Sequence, residues 1–385
     1  MRPDAATPHP LRARMPRVRQ VLAGAWWIPA TLLAAAAATL TCAPAVLTGR
    51  PVDLPAAYLA KAENPFADTA LLPLADPTNF AEFGPWSHGA KLTPRIVPAL
   101  LLAAARRLGW HPYIPATAGG IVLLASVIVA TARATGDRFV GVYAGCAVAG
   151  LYASAACFAI PFQPKPFDGV ALGFVGLAML AAVSGPPAGL AAAVALGCLS
   201  DERAAVAAVG CGWLAVFSTS APEKLRGRLV AIAVGILSWI AIRLGLGMAC
   251  GWSRPDGSLV DAGILRHTLP AAGQAARVAF EAAAAPILLL AGLVARRRHW
   301  AVAAGWLATM VISLASCLVV LDTSRAAAFL VALVPAAWAG LSFFGLQRET
   351  MRSLSLATAI GCILVPTLDV IAGVHAIPLD RWLGR

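Results

Sequence analysis

Charge is scarce in this chain. Only 12% of its 385 residues are Asp, Glu, Lys or Arg, and 18 acids face 30 basic residues. With 59% hydrophobic residues and a mean hydropathy of +0.77, the chain has too little polar surface to coat a soluble core. That excludes an ordinary water-soluble globular protein and leaves a polytopic membrane protein. Cysteine pairs at metal-ligand spacing are also missing. The eight cysteines (42, 146, 157, 198, 211, 250, 317, 362) are scattered through apolar stretches, where they read as small packing residues. Cys42, Cys157, Cys198, Cys250 and Cys317 fall near the expected outer ends, which leaves room for one disulfide without assigning it. There is no Walker-type phosphate loop, dinucleotide fingerprint, heptad pattern or repeat of fixed period. The apolar stretches also lack the alternation of a barrel strand, so the spanning elements are helices.

The expected fold is all-α, a transmembrane helical bundle of about 11 spans: 21–48, 113–132, 139–160, 168–184, 186–200, 204–219, 229–250, 275–295, 299–320, 326–346 and 354–374. Residues 1–20 form a basic cytoplasmic tail, and 21–385 form one integral membrane domain. Alanine and glycine dominate the spans, and small residues let helices approach closely, so a tight bundle is expected. Basic residues give the orientation. Arg2, Arg12, Arg14, Arg17 and Arg19 in the tail, and Arg133/Arg138, Lys224/Arg226/Arg228, Arg296/Arg297/Arg298 and Arg348/Arg352 in alternate loops, are assigned to the cytoplasm of a plasma-membrane protein. The N-terminus is then inside and the C-terminus outside. Topology accounts for the net charge of +12, so nucleic acid is not an expected partner.

One extramembrane segment is long. Residues 49–112 are expected to form an external loop with one or two interfacial helices, the Ile96–Leu108 piece lying along the surface with Arg106 and Arg107 facing headgroups. A second external loop covers 251–274. The external histidines His88, His111, His267 and His375 fit no ligand spacing. The apolar stretch 186–218 is interrupted by Ser200-Asp201-Glu202-Arg203. Three consecutive charges are costly at the bilayer centre, so two short helices should meet in a turn at the outer surface or in a wet cavity below it.

Folding this topology gathers Asp168, Asp201, Glu202, Arg203, Asp322 and Arg325 on one side with Lys91, Arg95, Lys165 and the acids of the long loop, including Asp53, Glu63 and Asp68. Carboxylates beside guanidinium groups at a membrane face suit a reaction in which an acid takes a proton and Arg or Lys holds a phosphate. Singly, Asp168, Asp201 and Asp322 read equally well as helix caps, and the loop acids as solvated residues. Carboxylates could also hold a divalent cation. Arg243, inside the seventh span, either faces the bundle interior or snorkels to headgroups.

The order of parts resembles the GT-C superfamily of polytopic glycosyltransferases, which use sugars linked to polyprenyl phosphate at the outer membrane face. The likeness rests on Val52-Asp53-Leu54-Pro55-Ala56-Ala57-Tyr58, an acid followed by tyrosine in the first long loop. Two further parts carry it: Arg95-Ile96-Val97-Pro98-Ala99-Leu100-Leu101 after that loop, and the charged turn Asp201-Glu202-Arg203. The resemblance implies an inverting transfer with Asp53 as base and Arg203 or Arg325 on the lipid phosphate. A doubled acid at Asp53 is lacking, which leaves Glu63 and Asp68 as substitutes. Tyr58, Arg95, Lys165, Asp168 and Asp322 complete the expected substrate-binding set, with membrane lipid, a polyprenyl-phosphate-linked sugar and an unspecified acceptor as partners. The rival readings are a transporter or flippase for an amphipathic or anionic solute, and a non-catalytic scaffold of an envelope-assembly complex. Transport would place polar groups at the midplane, on broken helices.

Overall fold

A computed structural model describes residues 24–42, 56–69, 92–158, 166–252, 268–318, 323–364, 367–370 and 374–377. They form a helical bundle with six helices long and apolar enough to cross a membrane: Ile114–Thr135, Phe167–Ser184, Pro222–Ala249, Ala276–Arg296, Trp300–Leu318 and Arg325–Phe343. A seventh is added if α5 (Arg138–Gly150) and α6 (Tyr152–Phe158), which meet at 69°, count as one bent span. Shorter apolar helices cover Trp27–Leu40, Pro187–Ser200 and Ala204–Ser218.

In chain order the remaining helices are α1 (Trp27–Cys42), α2 (Ala56–Glu63), α3 (Ile96–Arg107), α4 (Ile114–Thr135), α7 (Pro166–Ser184), α8 (Pro187–Ser200), α9 (Ala204–Ser218), α10 (Pro222–Ala249), α11 (Ala272–Phe280), α12 (Ala284–Arg296), α13 (Trp300–Leu318), α14 (Thr323–Ala328), α15 (Leu333–Phe343) and α16 (Arg348–Leu364). Short 3-10 turns at Glu281–Ala283 and Phe329–Ala332 interrupt the two spans that contain them. Proline opens α7, α8 and α10 at a position where the missing N–H costs nothing. Gly136, at φ 70°, closes α4.

The expected span 354–374 is corrected by the fold. Helix α16 stops at Leu364, two residues before Pro366, and Thr367–Val370 pairs antiparallel with Val374–Ile377 as a small hairpin, β1 and β2. Proline disfavours helical geometry in the residue before it, which ends the span early. The bend after α5 also has a local cause. A side chain at Gly150 would meet the Cys362 carbonyl at 2.2 Å, so α16 lies directly against the break. The Ser154 hydroxyl donates to the Val148 carbonyl (2.7 Å) there.

The small-residue content does what close packing requires. Helices α4 and α7 touch backbone to backbone: a Cβ on Gly119 would lie 2.1 Å from the Gly169 carbonyl oxygen, one on Gly173 2.7 Å from the Gly119 Cα, and one on Gly176 2.9 Å from the Leu123 Cα. Helices α4 and α7 run together with their N-terminal ends at one end of the bundle; α8 returns antiparallel, so the 200–203 turn lies beside the start of α7. The Arg325–Phe343 span is 94% buried at the centre, whereas Pro222–Ala249 is only 11% buried at the periphery. Every cysteine whose side chain is described is free.

Candidate functional site

The start of α7, the 200–203 turn, the start of α3 and α14 bring six ionisable side chains together. Asp168 sits in the first turn of α7. Asp201 caps the C-terminus of α8, and its Oδ1 accepts the Arg203 backbone N–H at 3.0 Å, which tightens the turn into α9. Arg95 precedes α3, and Arg325 lies in α14. The helix boundaries at Ser200 and Ala204 therefore follow from the charged run itself.

These side chains are tied by bidentate pairs. Arg325 donates through Nε and Nη2 to both oxygens of Asp168. Arg203 donates to both oxygens of Asp201 (2.8 and 2.5 Å), and its Nη2 also reaches Asp168 at 3.4 Å. Arg95 bridges Asp201 (2.9 Å) and Glu202 (3.0 and 3.3 Å) and stands 4.0 Å from Asp168. The Asp168 and Asp201 side chains are almost fully buried, while Glu202 keeps about a third of its side chain exposed. Burial raises the Asp201 carboxyl, but Arg203 and Arg95 outweigh it and hold the group below the ordinary carboxylate range. At Glu202 burial is likewise outweighed, chiefly by Arg95. All three carboxylates answer guanidinium groups. Among the described residues no three His, Cys, Asp or Glu side chains form a metal-ligand set.

Tyr58 on α2 stands within electrostatic reach of Arg325, Asp168, Arg95 and Asp201, with its ring edge-on to Phe167 at 4.9 Å. Burial pushes its phenol up to about 12, so it stays a neutral hydroxyl, and it has no hydrogen-bond partner among the described residues. The face of Phe329 lies 5.1 Å from the Arg203 guanidinium, so an aromatic floor meets the cation.

Of the expected site residues, Arg95, Asp168, Asp201, Glu202, Arg203 and Arg325 converge, with Tyr58 beside them. Asp68 is close by but separate, accepting the Thr93 hydroxyl at 3.1 Å. Glu63 is not in the cluster. It is exposed and pairs with Arg106 at 3.5 Å, and Arg106 lies eleven residues along α3 from Arg95, ~16 Å at the helical rise. Asp53, Lys165, Asp322 and Lys91 lie outside the described residues. Arg243 stacks on Trp239, 5.8 Å away on the peripheral α10.

Three buried or half-buried ionisable groups escaped the sequence reading. Lys61 is fully buried, its ammonium donating to the Pro65 (2.9 Å) and Thr93 (2.7 Å) carbonyls and lying 5.7 Å from the Trp252 ring. Burial lowers its pKa to about 8. Asp137, at the opposite end of the bundle, is buried between Arg348 and Arg352. Glu281 sits at the 3-10 break between α11 and α12 at φ 43°. A lone lysine in a polar loop gives no sign of burial, whereas Glu281 inside an apolar span was a visible signal.

Comparisons with family models, curated proteins and solved structures find no match for the chain. The geometry of the cluster therefore carries the functional argument.

Proposed function

We propose that the protein is a membrane-embedded glycosyltransferase that moves a sugar from a polyprenyl-phosphate donor at the membrane face where the charge cluster lies. The observation that carries this reading is the cluster itself: three guanidinium groups and three carboxylates, drawn from four separate stretches of chain, mostly withdrawn from water and with Tyr58 beside them. Burying ion pairs adds little net stability compared with apolar packing. A fold needing only stability gains little from six of them. A site that must receive a phosphate and release it has a reason to hold arginines in fixed positions.

In the proposed reaction the Asp53 carboxylate takes the proton of the acceptor hydroxyl as its oxygen attacks the anomeric carbon. The bond from that carbon to the phosphate oxygen breaks. The leaving phosphate keeps the electron pair, and Arg203 and Arg325 stabilise it by exchanging part of their carboxylate bonding for phosphate oxygens. Configuration at the anomeric carbon inverts. Arg95 and Glu202 position the turn, and the Tyr58 hydroxyl serves as a neutral donor to the sugar or phosphate. The matching topology has about 11 crossings of the plasma membrane, counting the bent pair, the shorter apolar helices and α16, with the N-terminus cytoplasmic and the C-terminus and charge cluster external.

Thermal unfolding of the full chain in detergent tests the donor. A polyprenyl phosphate should raise the midpoint and the corresponding polyprenol should not. Asp53→Asn should keep that response and lose sugar release from a polyprenyl-phosphate sugar. Equal responses to phosphate and alcohol would overturn the reading. A transport reading draws on one observation, the carboxylate of Glu281 at a broken helix inside a span. It predicts solute uptake into vesicles that Glu281→Gln abolishes and Asp53→Asn leaves intact.

A further inference from the structure

At the end of the bundle opposite the charge cluster, a cavity of about 420 Å³ runs along α7 and α8 beside the end of α4. Its walls are apolar, with Phe174, Leu177 and Leu180 on one side and Ala192 and Leu196 on the other. At the mouth stand Arg133 and Ser184. From Ser184 to Phe174 the wall runs ten residues along α7, ~15 Å at the helical rise. That is the depth of one leaflet's hydrocarbon, about half of a ~30 Å core.

The mouth carries positive charge that the described chain leaves uncompensated. Arg133 donates to the Ser184 hydroxyl, and its Nε is buried without a hydrogen-bond partner. Arg228 reaches the residue next to Ser184 from α10 without lining the cavity, donating to the Val183 carbonyl at 2.8 Å and to the Thr219 hydroxyl. Neither guanidinium has a carboxylate partner among the described residues, although Asp137, four residues from Arg133, is engaged by Arg348 and Arg352. Two cations thus bond to consecutive residues of one helix end: Arg133 at the mouth of an apolar slot one leaflet deep, and Arg228 beside it.

We infer that this slot binds one anionic phospholipid, its phosphate held by Arg133 in the field of the neighbouring Arg228 and one acyl chain lying between α7 and α8. A free phosphate would use the cations and leave the slot empty. A neutral chain would do the reverse. The matched length of the slot and the placement of the charge at its mouth favour a ligand having both parts. The site stands whatever the charge cluster at the other end does.

Native mass spectrometry of the full chain in detergent, titrated with phosphatidylglycerol, phosphatidylcholine or inorganic phosphate, tests it. Phosphatidylglycerol should bind at one saturable site, with phosphatidylcholine weaker and inorganic phosphate unable to compete at millimolar concentration. Arg133→Gln should weaken phosphatidylglycerol about fivefold, the factor for one guanidinium at a membrane surface. Ala192→Trp fills the slot from an exposed position and should abolish retention while the polyprenyl-phosphate response persists. Equal binding of the two lipids, competition by inorganic phosphate, or undiminished retention in both variants would overturn the inference.

Discussion

The two ends of the bundle bury carboxylates in opposite ways. At the end built from α3, α7, the 200–203 turn and α14, three arginines meet three carboxylates, and the two aspartates are nearly inaccessible. At the other end the buried acid Asp137 is held by two arginines that keep about half and a third of their surface exposed, while Arg133 and Arg228 have no acid partner among the described residues. The second arrangement is no more than a basic rim and one helix cap need, since Asp137 also accepts the Phe139 N–H at 2.9 Å. The first exceeds any capping requirement. The proposed site rests on that excess.

The sharpest way to break this contrast is to remove one arginine from each end. Arg325→Ala leaves Asp168 buried beside a cavity with only distant Arg203 and Arg95 contacts, and should cost about 3–5 kcal/mol in reversible unfolding. Arg348→Ala leaves Asp137 its Arg352 bond and, because Arg348 is itself half exposed, opens the carboxylate to water, so it should cost less than ~1 kcal/mol. Replacing Asp168 and Arg325 together by Leu and Met removes both charges and should restore most of the loss. That double variant should fold yet lose its response to polyprenyl phosphate. An unchanged response would make the cluster structural only.

A smaller effect is expected where packing sets the position of Asp168. Gly119→Ala forces its methyl against the Gly169 carbonyl, one residue from Asp168, so α7 must move away from α4. The cost should be about 1–3 kcal/mol, as for other overpacked cores. Because the shift is at the clustered end, polyprenyl-phosphate affinity should fall with stability. Gly189→Ala, where the nearest atom is 3.4 Å away, should be neutral in both measurements.

Much of the clustered end was legible because its signals are local or sign-coded. The run Ser200-Asp201-Glu202-Arg203 inside an apolar stretch forces a turn, and α8 and α9 end and begin there. Asp168 and Arg325 at the starts of apolar segments had to share a face once the crossings alternated. Glu63 misled because a loop acid carries no mark of its partner, and only tertiary packing puts Arg106 beside it. Pairing of Asp137 with residues more than 200 positions away is equally invisible from spacing. The end of α16 was readable in principle from Pro366, but the apolar pattern past it dominated.

Lys61 gives a pH-dependent probe beside the cluster. Its folded pKa, about 8, lies below the ordinary lysine value because burial disfavours the ammonium. Between about pH 8 and the unfolded lysine value of ~10.4, the unfolded chain binds more protons, so stability should rise with pH across that window. Lys61→Met should flatten this rise. A stability that falls from pH 8 to 10 in the native chain, and is unchanged by the substitution, would show that the two carbonyl acceptors outweigh burial.

The smallest effect is expected at Glu63 and Arg106. This pair is 3.5 Å apart with side chains 72% and 41% exposed, so water screens both charges and two long side chains lose freedom to meet. Glu63→Gln should therefore change unfolding stability by no more than ~0.5 kcal/mol. It should also leave sugar release intact, because Arg106 holds Glu63 about three helical turns from Arg95. Loss of release with unchanged stability would mean that α2 and α3 rearrange when substrate binds, bringing a residue from the exposed rim to the buried cluster. The contrast between the two ends would then describe only the resting protein, and the catalytic acid would be sought on α2 rather than at Asp53.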